Sequence, residues 1–134
     1  MCGELGIAPK MVGFEKLPGS WHVVVMECLP SSFQQLGALT SEAILKLEGR
    51  VTDVVWRMHN AGFVHGDLRD TNILVDVTAN NDGVKIVDWD WAGAQGSVEY
   101  PISINLQVPC AAAVGGGATI DMAHDMETMG LIFQ

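Results

Sequence analysis

The clearest pattern in the chain lies between residues 40 and 62. Ile44, Leu47, Val51, Val54, Val55 and Met58 recur at intervals of three and four, so they share one face of an α-helix. Lys46, Glu48, Arg50, Asp53 and Arg57 mostly fall on the opposite face. Thr40 or Ser41 supplies the N-cap oxygen, Glu42 complements the helix dipole, and Gly62 ends the helix as a C-cap. This stripe is core packing rather than a site. It gives the segment that follows a rigid support.

Period-two and continuous apolar runs predict strands elsewhere. Residues 11–14 and 21–26 flank a Leu17-Pro18-Gly19-Ser20 turn. Residues 73–77 and 84–87 are two further short runs, separated by Asn80-Asn81-Asp82-Gly83, a strong hairpin turn signal. Residues 31–39 read as a short helix or irregular crossing. Residues 111–117, Ala-Ala-Ala-Val-Gly-Gly-Gly, show no periodicity and predict a mobile loop.

Composition narrows the class. A chain of 134 residues is one domain at most, and its 49% hydrophobic content is globular. The net charge of −9 argues against nucleic acid and anionic membranes as partners. No basic stretch leads into an apolar one at the N-terminus, and no apolar run reaches the roughly 18 residues of a membrane span. Cys2, Cys28 and Cys110 are odd in number and not spaced as metal ligands, which fits reduced thiols. The expectation is a cytoplasmic protein.

The chemistry sits directly after the helix. Residues 65–72 read His-Gly-Asp-Leu-Arg-Asp-Thr-Asn and run straight into an apolar strand. An aspartate and an asparagine at this spacing, in a tight loop between helix and strand, can point into one cleft. Asp67 would accept or orient the proton of an attacking hydroxyl, and the Asn72 side-chain oxygen would hold a metal on nucleotide phosphates. The second apolar run delivers Asp88 at its end, and a hairpin would bring Asp88 back beside Asn72. Two oxygen ligands side by side suit Mg²⁺, which completes its shell with water and phosphate.

The order and spacing of Asp67, Asn72 and Asp88 resemble the protein-kinase-like superfamily, across residues 6–133. His65-Gly66-Asp67 replaces the usual His-Arg-Asp, and Asp88-Trp89-Asp90 replaces Asp-Phe-Gly. With Tyr100-Pro101, this wording is similar to kinase-domain proteins of fungi. The His-Gly-Asp-Leu string is also similar to aminoglycoside and choline phosphotransferases. The resemblance implies an α+β two-lobe fold present in part. Residues 1–29 would be remnant small-lobe strands and hinge, and residues 30–134 the first half of a helical lobe. It implies ATP and Mg²⁺ as cofactors and a hydroxyl-bearing protein or small molecule as acceptor. Met26 would be the gatekeeper, with the Glu27 carbonyl and Leu29 N–H facing the adenine. Arg69 would assist the transferred phosphoryl group, and Asp125 would accept hydrogen bonds from the catalytic-loop backbone or merely cap a helix. Gly66 stands where many protein kinases have an arginine that docks a phosphorylated loop, which argues against that form of control. His65 is read as structural.

Three expected parts are not found in the sequence: a glycine-rich loop over the phosphates, a strand lysine, and the helix glutamate that pairs with it. Lys10 superficially suits the lysine, but it lies too close to Asp67 for the intervening elements. The expectation is therefore a fragment, weakly active or inactive. Its alternatives are a pseudokinase remnant or interaction module, or a small-molecule kinase of the aminoglycoside or choline type.

Overall fold

A computed structural model describes residues 4–78 and 83–134. Its main support is helix α1, Ser41–Asn60, whose ends follow from local chemistry. Thr40 is the N-cap, and its hydroxyl oxygen accepts the Ala43 N–H at 3.4 Å. Gly62, at φ +82°, makes the left-handed exit and donates its N–H to the His59 carbonyl. Val51, Val54, Val55 and Met58 are buried, while Ile44 and Leu47 pack at the margin of the same core. Each fully buried side chain of this size contributes about 1.5–3 kcal/mol. Arg50 departs from the expected polar face. It is half-buried, with part of its guanidinium out of solvent against Gly83.

The first core is closed by a three-stranded antiparallel sheet of β3, Phe33–Gln35, β5, Ile73–Asp76, and β6, Val84–Ile86, with β5 central. The register Ile73↔Ile86 and Val75↔Val84 turns these four side chains into the helix. Of the turn predicted at 80–83, residues 80–82 lie outside the described residues. Gly83 packs so tightly that a Cβ there would lie 2.4 Å from that of Asp76. The expected helix or irregular crossing at 31–39 is instead strand β3 and a 3₁₀ turn, Leu36–Ala38. Pairing with β5 decides the strand, and complete burial of Leu36 anchors the turn.

A second, smaller core lies beyond the loop. Strand β4, Phe63–Val64, pairs with β7, Gly93–Ala94, and Val64 packs with Tyr100, Ala111, Val114 and Ile120. The predicted mobile loop at 111–117 is therefore corrected. Ala111 and Val114 are buried, and Gly116 sits so close to Ile102 that a Cβ would meet its carbonyl oxygen at 2.3 Å. Here glycine permits close approach of two backbones. Helix α2, Met122–Gly130, begins at the N-cap Asp121, whose carboxylate accepts the Ala123 N–H at 2.8 Å.

Strands β1, Met11–Lys16, and β2, His22–Met26, form a separate antiparallel hairpin. Both of its faces are largely open, with Trp21 73%, Val12 61% and Phe14 60% exposed. The preceding segment is pinned by fully buried Ile7, whose carbonyl accepts the Ile86 N–H at 2.7 Å.

Candidate active site

The loop after β4 owes its start to buried polar groups from two helices. Asp125, on α2, is almost wholly buried, and its carboxylate accepts the backbone N–H groups of His65 and Gly66, each at 2.8 Å. His59, in the last turn of α1, donates from Nε2 to the same carboxylate at 3.1 Å. Asp125 therefore binds the loop backbone, and the capping role belongs to Asp121. Gly66 has φ +86°, and a Cβ would lie 2.8 Å from the Ile120 side chain, so glycine is required twice over.

His65 is structural, as expected from the sequence. Its Nδ1 accepts the Asp67 N–H at 3.1 Å, so its proton is on Nε2, which donates to the Val87 carbonyl at 3.0 Å. That tautomer is neutral. Burial lowers the His65 pKa below its ordinary value, and the nearby Asp125 carboxylate only opposes the shift.

Asp67 is oriented by two side chains. Arg69 clamps it bidentately, Nε to one carboxylate oxygen and a terminal nitrogen to the other at 2.7 Å. This pairing raises the pKa of Arg69 above its already high value. The Asn72 amide donates to the Asp67 backbone carbonyl at 3.0 Å and to its carboxylate at 2.9 Å. Three of about four acceptor positions on the carboxylate are thus filled, which leaves one for an incoming hydroxyl.

With its amide hydrogens committed to Asp67, Asn72 retains its side-chain oxygen as a free donor to a cation. Its backbone carbonyl accepts the Val87 N–H at 2.9 Å, which sets Asp88 beside it as β5 and β6 pair. Asp88 has φ +62°, an uncommon conformation that aspartate tolerates better than most residues. A cavity of about 180 Å³ is lined by Asp67, Arg69, Asp88, Asp90 and Trp91. Among the described residues no three or more His, Cys, Asp or Glu side chains group as a metal site. Asn72 does not line that cavity; it and Asp88 carry oxygens of the kind Mg²⁺ takes, an ion that completes its shell with water and phosphate.

Met26 reaches this region from the hairpin. It lines a cavity of about 520 Å³ with Met11, Val24, Phe63, Trp89, Asp88 and Asp90, among others. Glu27 and Leu29 lie outside that lining. Glu27 instead closes the hairpin, accepting the Lys10 N–H on its carboxylate at 2.8 Å and donating its own N–H to the Lys10 carbonyl at 2.9 Å. Leu29 is half-buried. The structure thus brings Asp67, Arg69, Asn72 and Asp88 together, with Met26 across the larger cavity. Two contributors are not evident from the loop motif. Trp91 walls the acidic cavity, and His59 holds Asp125. His59 left a signal, because it follows Val55 by one helical turn and so falls on the apolar face, where a polar side chain needs a partner.

Sequence and structure comparisons bear on the fold. No family model matches the chain. It is 31% identical over 94 residues to the serine/threonine-protein kinase pim-2 of Danio rerio, covering 65% of this chain and 29% of that protein. It is 28% identical over 123 residues to MAP kinase-activated protein kinase 2 of Drosophila melanogaster, covering 82% and 33% respectively. Among solved structures it matches that of vaccinia related kinase 3 with a TM-score of 0.71 at 19% identity, over 97% of this chain and 44% of the other. The structural match carries the fold, and the chain spans about a third or less of these curated relatives. No helix among the described residues is long and apolar enough to cross a membrane. The fold is α+β and corresponds to part of a kinase domain. In sequence and in fold the chain is similar to the protein-kinase-like superfamily.

Proposed function

We propose that this chain forms part of an ATP- and Mg²⁺-dependent phosphotransferase that moves the γ-phosphoryl group to a hydroxyl. Residues 1–29 would supply small-lobe strands and the hinge, and residues 30–134 part of the helical lobe. The observation that carries the reading is Asn72, which orients Asp67 through its amide and accepts the N–H of Val87, the residue before Asp88, on its backbone carbonyl. In the transfer, the acceptor oxygen bonds to the γ-phosphorus as the bond from that phosphorus to the β–γ bridging oxygen breaks. ADP leaves with that electron pair, and the hydroxyl proton passes to the Asp67 carboxylate. Asn72 and Asp88 would hold Mg²⁺, which when bound neutralises charge on the phosphates. Arg69 would fix Asp67 and face the transferred group. Met26, Glu27 and Leu29 are proposed on the adenine side. The test is transfer from γ-labelled ATP to a hydroxyl acceptor. Because the chain is expected to be weakly active at most, the comparison is of residual transfer: any activity of the wild type should be lost in Asp67→Asn, and equal activity in both would sink the reading.

A second reading is a non-catalytic interaction module. The exposed apolar faces of the β1–β2 hairpin favour it, since such surface ordinarily marks a contact. Stabilisation by Mg²⁺-ATP without turnover in the same assay would favour this reading over the first.

A further inference from the structure

The outer face of α1 carries a stripe that the folded chain leaves uncovered. Leu45, Gly49, Thr52 and Trp56 recur at intervals of four, three and four, so they lie in one line along the helix. Leu45 is 52% and Trp56 51% exposed. Between them, a Cβ at Gly49 would meet nothing within 4 Å. Glycine weakens the interior of a helix, and nothing in the fold requires it at this position. A second helix packed on the stripe would account for it, because a small residue there admits close approach.

The charges beside the stripe select that second helix. Glu42, Lys46, Asp53 and Arg57 are spaced four, seven and four, so they share one flank and read minus, plus, minus, plus. Read in reverse, the order is plus, minus, plus, minus. Another α1 laid antiparallel therefore sets opposite signs together, whereas a parallel copy in register sets like signs together. The alignment that places Leu45 against the partner's Trp56 also places Gly49 against the partner's Thr52. In it Glu42 lies two residues, about 3 Å of helix rise, from the level of the partner's Arg57. Lys46 stands in the same relation to the partner's Asp53. Glu42 and Lys46 pair within the helix but remain 81% and 73% exposed, so each has room for a second partner. Arg57 gives one terminal nitrogen to the Leu5 carbonyl at 3.3 Å and keeps further donors.

Overall charge points the same way. With 16 acidic and 7 basic residues, two copies of the chain repel on most approaches. Helix α1 holds three residues of each sign, so repulsion is least there.

We infer that two copies of this chain associate through α1, antiparallel about a two-fold axis level with residues 50 and 51. Leu45 and Trp56 form the apolar contact, and Glu42–Arg57 and Lys46–Asp53 pair across it. The inference goes beyond the phosphotransferase reading and does not depend on it.

The experiment is sedimentation equilibrium of the full chain from micromolar to submillimolar concentration. The mass should rise reversibly from 14.4 kDa toward twice that value. Trp56→Glu should raise the dimer Kd by at least about tenfold. Two charge-reversed variants, Glu42→Lys with Lys46→Glu and Asp53→Lys with Arg57→Glu, each set like signs together in their own dimers. Each alone should raise Kd by about tenfold or more, and an equimolar mixture should return to within about threefold of wild type. Gly49→Gln should raise the thermal midpoint of the monomer while weakening association, so it serves as the test if a charge-reversed variant fails to fold. A monomer at every concentration would overturn the proposal. So would unchanged association in a folded charge-reversed variant or in Gly49→Gln, or a mixture of folded variants that does not recover.

Discussion

The Asp125 carboxylate accepts the backbone N–H of His65 at 2.8 Å across a separation of 60 residues. The same carboxylate also takes the Gly66 N–H and the His59 ring N–H, so one side chain anchors the start of the loop. Replacing it strands several buried donors at once. Asp125→Ala should lower stability by roughly 2–6 kcal/mol, at about 1–3 kcal/mol for each of the two stranded backbone donors. Urea unfolding checks this, and a loss below about 1 kcal/mol would show that the loop is held by something else.

Gly66 tests the loop in a different way. Gly66→Ala meets both a positive φ and the Ile120 side chain, and should cost about 1–3 kcal/mol in thermal or urea unfolding. Ile120→Val in the same background should recover only the contact share. Full recovery would mean that backbone conformation contributes nothing.

Arg69 and Asp67 form a partly exposed pair, with side-chain exposures of 31% and 15%, so the pair adds little to stability. Arg69→Ala is therefore expected to shift unfolding by about 1 kcal/mol or less. Transfer should nevertheless fall by about 10²-fold or more, because one of the two side chains that orient Asp67 is gone. Arg69→Lys should recover only part, since an ammonium cannot make the bidentate contact. Comparing the rate and stability of the same variants separates the two roles.

Acid should weaken the fold in two windows. His65 is buried neutral with its pKa below the ordinary 6.5, so the unfolded chain takes up a proton there before the folded one does. Its contribution is complete above pH 6.5 and declines as pH falls below that, by at most about 1.4 kcal/mol per pH unit. Asp121 is held below its ordinary 3.8, first by the Ala123 N–H and then by the Gln95 amide, and its contribution is lost only below that value. Thermal midpoints of wild type and His65→Gln between pH 8 and 5 check the first window. The variant should show the shallower decline.

How much of this could be read from the chain depended on how local the cause was. Helix α1 was legible because Thr40, the apolar stripe and Gly62 act within a few residues of one another. The loop was legible because Asp67, Arg69 and Asn72 meet within six residues, and Asp88 followed from the pairing of two short apolar runs. Strand β3 was not, because Phe33–Gln35 becomes a strand only by pairing with β5, some forty residues later. Residues 111–117 misled for a related reason. Gly116 and Gly117 lie against Ile102, an approach that no local period encodes. The sequence left Asp125 between two roles, and only the fold decides between them.

The account stands on Asp67, Asn72 and Asp88 forming one metal–nucleotide site. The most direct measurement is calorimetric titration of ATP into wild type, Asn72→Ala and Asp88→Ala, each with Mg²⁺ and with chelator. Wild type should bind only with Mg²⁺, gaining about 2.7 kcal/mol of stability at a hundredfold excess over Kd, and both variants should lose that metal-dependent binding. Binding that is indifferent to Mg²⁺, or that persists unchanged in Asp88→Ala, would contradict the site.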